Sequence, residues 1–107
     1  MKDRAEIEQT LHRFKKEIRK VCGEKLIDLI LFGSYARGDY SEDSDIDILF
    51  LVKEELSRSE KDKIAEMLAH FSLKYGVLIS CIDYPYKLFE EYNTPFLLNV
   101  KEEGVKI

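Results

Sequence analysis

Asp45 and Asp47 stand two residues apart at the front of the apolar run DIDILFLV. Side chains alternate along a strand, so both carboxylates would leave one face while Ile46 and Ile48 leave the other. Strand rise puts their Cα atoms about 6.5 to 7 Å apart, close enough for the two charges to oppose one another and well placed to grip divalent cations. Magnesium suits such a pair, because it takes one or two carboxylates and completes its shell with waters and phosphate oxygens. Upstream, Gly33-Ser34 closes the run LIDLILF. A glycine at a strand end lets backbone N–H groups approach a phosphate, and the Ser34 hydroxyl is a further donor. Arg37 could add charge for a triphosphate. Alone, a strand-end Gly-Ser is usually only a turn, and Asp-x-Asp usually only surface. Joined across one short connection between neighbouring strands, they point to a site for a metal nucleotide.

A calcium loop is the competing reading, since Asp39, Ser41, Asp43 and Asp45 also alternate. It fails twice: Ser44 replaces the glycine that the sharp turn needs, and Phe50 stands where a bidentate Glu belongs. Asp39, Glu42 and Asp43 are therefore read as solvating the loop.

The elements that must hold these residues follow from periodicity. Ile7, Leu11, Phe14, Ile18 and Val21 form a helical stripe within residues 3 to 22, with Asp3 as a cap and Gly23 beyond the end. Leu26 to Phe32 is a short buried strand, followed by a polar loop with one helical turn near Tyr35 to Gly38, and Asp45 to Val52 is a second strand. Ser57 with Glu60 fits a capping box opening a helix to Tyr75, whose face carries Ile64, Met67, Leu68 and Phe71; Gly76 ends it. Val77 to Asp83 is a third strand. Pro85 and Pro95 sit where a first helical residue would be, giving short helices near Tyr86 to Tyr92 and Phe96 to Glu103. The order predicts a small α/β fold in which helices cover a mixed sheet mainly on one face, leaving the other for a site.

Composition narrows the classes. With 107 residues, the chain is expected to form a single domain over 1–107. No apolar run approaches the ~20 residues that span a bilayer, and the charged amino end does not read as a secretory signal, so a soluble, cytoplasmic protein with no membrane partner is expected. The net charge of -4 argues against a nucleic-acid partner. Cys22 and Cys81 fit neither a zinc spacing nor a CxxC pair and read as reduced apolar residues. His12 and His70 lack ligand partners in sequence and read as surface residues.

Gly33-Ser34, ten intervening residues and Asp45-x-Asp47 resemble the GS…DxD signature of the polymerase-β-type nucleotidyltransferases, in particular their minimal stand-alone branch. The flanking strands and helix fall where that family has them. The resemblance implies a polymerase-β-like fold in which Ser34 and its turn hold the triphosphate of ATP or another NTP. It implies that Asp45 and Asp47 bind two Mg²⁺ ions while an acceptor hydroxyl attacks the α-phosphate and expels pyrophosphate. The branch further resembles antitoxins paired with a HEPN-type ribonuclease, which implies transfer of AMP to a tyrosine of that partner. One position departs from the pattern. The family's third carboxylate, counted from Gly76, falls on Ser80, and the nearby Asp83 lies on the opposite strand face unless a bulge intervenes. That departure supports the alternative of a catalytically weakened module that binds nucleotide or partner. Tyr84, Tyr86, Phe89, Tyr92 and Phe96 are aromatic enough for a contact surface, although core packing is the simpler use for most of them.

Overall fold

A computed structural model describes residues 3–41 and 43–107, so the loop acid Glu42 lies outside the described residues. The apolar stripe near the amino end becomes α1 (Arg4–Cys22), capped by the Asp3 carboxylate, which accepts from the Glu6 N–H at 2.8 Å. After a 3₁₀ turn over Gly23–Lys25 the chain enters β1 (Leu26–Phe32), turns through α2 (Ser34–Arg37) and returns in β2 (Ile46–Val52). Then come α3 (Arg58–Tyr75), β3 (Ile79–Pro85), α4 (Tyr86–Glu91), α5 (Pro95–Glu103) and β4 (Val105–Lys106).

The sheet order is β3-β2-β1-β4. β1 pairs antiparallel with β2 and with β4, whereas β2 and β3 run parallel, so the sheet is mixed as expected. A parallel pair needs a crossover, which α3 supplies. The α3 capping box forms in full: Glu60 N–H reaches the Ser57 hydroxyl at 3.1 Å, and the Ser57 N–H reaches Glu60 Oε1 at 2.8 Å. Lys25 Nζ also donates to that Oε1 at 2.7 Å, tying the start of α3 to the turn before β1. Lys25 first, and then the Ser57 N–H, hold the Glu60 carboxyl down at about 2.

Alternation along β2 divides the core in two. Ile46, Ile48, Phe50 and Val52 join Leu29 and Leu31 beneath α1 and α3, where Ile7, Leu11, Phe14 and Ile18 are buried. Leu49 and Leu51 join Ile30 on the opposite side with Phe89 of α4 and Leu97 and Val100 of α5. The long helices, of 19 and 18 residues, thus cover one face as predicted. The other face carries short helices of 6 and 9 residues, a lighter cover rather than an open surface.

Several sequence expectations shift in detail. Asp45 lies immediately before β2 rather than inside it. The single helical turn begins at Ser34, one residue earlier than predicted, because Gly33 takes φ 77° and starts it. β3 starts at Ile79 instead of Val77, since Gly76 in the left-handed region must first redirect the chain out of α3. Pro85 closes β3 and caps α4 rather than opening it, a position on an edge strand where its missing N–H costs no ladder bond, while Pro95 does sit in the first turn of α5. The two-residue β4 is too short for any periodicity and was not foreseen. Phe89 is buried, Tyr84 and Tyr86 are half-buried against the second core, and Tyr92 and Phe96 stay exposed. His12 and His70 are exposed, and no described helix is long and apolar enough to cross a membrane.

Candidate functional site

β1 and β2 are adjacent and antiparallel, with Phe32 opposite Asp47, so the end of one strand meets the start of the other. Gly33 follows Phe32 and turns sharply; any other residue would be strained at φ 77°. Its lack of a side chain has a second use. A Cβ on Gly33 would collide with Oδ2 of Asp47, so the Asp47 carboxylate packs directly against the backbone of the turn. Ser34 and Arg37 belong to the single helical turn that follows, whose Tyr35 and Ala36 are buried and fix it to the core. Tyr35 stacks on Tyr40 at 4.3 Å between ring centroids, holding the loop beyond. The Ala36 and Arg37 N–H groups both donate to the Gly33 carbonyl at 3.1 Å, so only those of Ser34 and Tyr35 fall outside the turn's own hydrogen bonds.

Gly33, Ser34, Arg37 and Asp47 line one cavity of about 370 Å³, together with Phe32 and with Phe96, Asn99, Val100 and Glu103 of α5. The structure therefore brings four of the five sequence-predicted site residues into a single cavity. Asp45, exposed just outside it, is electrostatically linked to that cavity. Burial pushes the Asp47 carboxyl above the usual carboxylate range, the negative charge of Asp45 pushes it further, and Arg37 pulls partly back. Neither aspartate has a hydrogen-bond or ion-pair partner among the described residues. A divalent cation fits this donor pair: two crowded carboxylates, one partly desolvated, offset only in part by the charge of Arg37. Among the described residues no cluster of three or more His, Cys, Asp or Glu is placed to hold a metal ion.

Arg37 is engaged. Its Nε donates to Asp39 Oδ2 at 3.2 Å and its Nη1 to Glu103 Oε2 at 3.3 Å, the latter spanning from the turn to α5. Both partners are solvent-accessible, so the side chain can exchange them for a stronger anion.

The parallel β2–β3 register settles where Ser80 and Asp83 stand. Ser80 pairs with Asp47 and Asp83 with Phe50, with no bulge between them. Ser80 thus occupies the strand position beside Asp47, and Asp83 falls on the α3 side, where it lines a separate cavity with Phe50, Leu56 and Ile64. Cys81 lies on that same side, where burial, reinforced by the charge of Asp83, pushes its thiol up to about 12.

Sequence reasoning did not associate α5 with the site. The signal available was the spacing of Phe96, Asn99, Val100 and Glu103 at i, i+3, i+4 and i+7, a helical face mixing polar and apolar residues.

Comparison with known proteins bears on the family and the fold. Residues 14–106 match the family described as nucleotidyltransferase domain. A Methanocaldococcus jannaschii protein named "Putative protein adenylyltransferase MJ0141" is 45% identical over 102 residues, spanning 95% of this chain and 99% of that one. Among solved structures, one named "Structure of putative minimal nucleotidyltransferase" superposes with a TM-score of 0.60 at 20% identity over 99% of this chain and 97% of its own. Another, a toxin-antitoxin crystallised with AMP-PNP, gives the same TM-score of 0.60 at 20% identity, covering 88% of this chain and 69% of that one. At such identity the structural likeness is one of fold.

Proposed function

The chain belongs to the nucleotidyltransferase domain family, and from that premise we propose that it transfers AMP from ATP to a hydroxyl group of a partner protein. The observation that carries this reading is the Asp47 carboxylate seated against Gly33 in the cavity that also holds Ser34 and Arg37. Few other uses would explain a partly desolvated, unpaired acid seated against a glycine turn that carries a serine hydroxyl and an arginine.

In this reading the Ser34 hydroxyl and the N–H groups of Ser34 and Tyr35 donate to the terminal phosphates. Arg37 leaves Glu103 for the more highly charged phosphate and orients it. Asp45 and Asp47 would hold Mg²⁺ beside the triphosphate, as two ions in this reading. When bound, the metal supplies charge neutralisation at the attacking and leaving oxygens of an in-line displacement. The acceptor oxygen forms a bond to the α-phosphorus, the bond to the β-phosphate oxygen breaks, and pyrophosphate departs. The acceptor's proton passes to solvent, since Ser80 rather than a carboxylate lies beside Asp47.

The relatives named adenylyltransferases support AMP as the transferred group. The toxin-antitoxin of similar fold supports a protein acceptor, with a tyrosine of a HEPN-type partner the leading choice and an antitoxin role the consequence. ATP as donor suits a cytoplasmic setting. Ser80 favours a second reading, in which the site binds nucleotide or partner with weakened turnover.

Incubation with the co-purified partner, Mg²⁺ and ATP, followed by intact mass spectrometry of the partner, separates the two. Transfer predicts a nucleotidyl adduct that falls about a thousandfold in rate when Asp45→Asn and Asp47→Asn are combined, as expected when several kcal/mol of metal-borne stabilisation are removed. No adduct with any nucleotide sinks the transferase reading.

A further inference from the structure

The cavity beside Asp47 has two walls, and only one has been given a task. Opposite the phosphate turn stands α5, presenting Phe96, Asn99, Val100 and Glu103. These positions lie at i, i+3, i+4 and i+7, a single face of the helix. At 1.5 Å per residue, Phe96 and Glu103 are separated by about 10 Å along the axis. The two ends of that face differ. Glu103 bonds Arg37, which belongs to the turn proposed to take phosphate, so this end marks the terminal phosphates. Phe96 packs edge-on against Phe32 at 5.5 Å between centroids and 85° between planes, which places it beside the residue paired with Asp47. A nucleotide extended along this wall, with its phosphates at Arg37 and its reacting phosphorus near Asp47, carries its base toward Phe96.

The chemistry of that end suits a base. Phe96 meets Phe32 in a T-shaped contact yet remains 39% exposed, leaving ring surface for stacking. Asn99 lies one turn further on, and helical side chains tilt toward the helix amino end, so its amide leans toward the space over Phe96. That amide makes no hydrogen bond among the described residues, whereas its helix neighbour Lys101 is committed to the Tyr92 carbonyl at 3.1 Å and Asn93 Oδ1 at 2.8 Å. Asn99 therefore has a donor and an acceptor to offer side by side. Adenine presents the complement on one edge, an exocyclic amino donor next to a ring-nitrogen acceptor; guanine presents two acceptors at the corresponding edge and would leave the amide carbonyl unpaired.

Resting on the nucleotidyltransferase reading above, we propose that α5 is the nucleoside-reading wall of the site, Phe96 stacking on the base and Asn99 selecting adenine by its edge. The cavity of about 370 Å³ lies within the range of small-molecule sites.

Titration calorimetry with Mg²⁺ and ATP, GTP or inorganic tripolyphosphate tests this on the full chain. The unaltered protein should prefer ATP to GTP. Asn99→Ala should weaken ATP binding about tenfold, the effect of losing one or two well-formed base contacts, and bring ATP and GTP to similar affinities. Phe96→Ala should weaken both nucleotides, within the roughly fivefold to hundredfold loss that a stacking contact represents. Tripolyphosphate should bind both variants as it binds the parent, which also reports that they are folded. An unchanged ATP-to-GTP ratio in Asn99→Ala, or an equal loss for tripolyphosphate, overturns the proposal. Failure of the parent chain to bind either ATP or tripolyphosphate instead overturns the nucleotidyltransferase reading on which it rests.

Discussion

Ile46, Ile48, Phe50 and Val52 leave β2 toward α1 and α3, whereas Asp47, Leu49 and Leu51 leave it toward α4 and α5. On the first side two helices of 19 and 18 residues bury the strand along its whole length. On the second side helices of 6 and 9 residues bury only the later part, and the amino end of β2 opens into the cavity beside Gly33. One strand thus serves as core on one face and as core plus site on the other. The difference teaches that a short cover is what permits a carboxylate at a strand start: Asp47 gains partial burial without losing access to solvent and ligand.

Paired truncations test that division. Phe14→Ala, beneath the long helices, should remove about 3–5 kcal/mol of stability, measured by urea unfolding, while leaving ATP affinity intact at concentrations where the protein is folded. Leu97→Ala, beneath α5, should cost about 2–5 kcal/mol and also weaken ATP binding, because α5 supplies a cavity wall. Equal effects of the two on nucleotide affinity would break the comparison. Gly33→Ala should cost about 1–3 kcal/mol from its backbone conformation and displace the Asp47 carboxylate, so calorimetry should show ATP binding lost beyond what the stability change explains.

The smallest effect lies on the dry face. The folded Glu60 carboxyl is held at about 2 against an ordinary value of 4.5. Its contribution is therefore present above pH about 4.5 and disappears as the pH falls from there toward 2. Glu60→Gln should flatten the parent's thermal-midpoint curve across that window. Parallel curves would show that the Lys25–Glu60 pair plays no part in acid stability.

Legibility from sequence followed chain distance. Gly33, Ser34, Arg37, Asp45 and Asp47 lie within fifteen residues, so turn chemistry and strand alternation were enough to bring them together. Counting from Gly76 also picked out Ser80, which the uninterrupted β2–β3 register sets beside Asp47. The α5 wall was hidden for the opposite reason. Pro95 announced a helix, but which face it would present and to what depended on docking across the sheet, a tertiary outcome with no local signature. Glu103 as a partner of Arg37 was equally unreadable, being 66 residues away. The second core escaped similarly: Leu49 and Leu51 showed only that β2 is apolar on both faces, and Phe89, Leu97 and Val100 had to be seen folded back over them.

The β1–β2 hairpin gives the protein an order of assembly. Bringing Gly33 to Asp47 closes a short segment, while bringing Gly33 to Phe96 closes one about four times longer, at an added entropy of roughly 1 kcal/mol for two doublings. Local closure is also the faster event. As the chain leaves the ribosome, the turn and its acid pair can form while α5 is still being made.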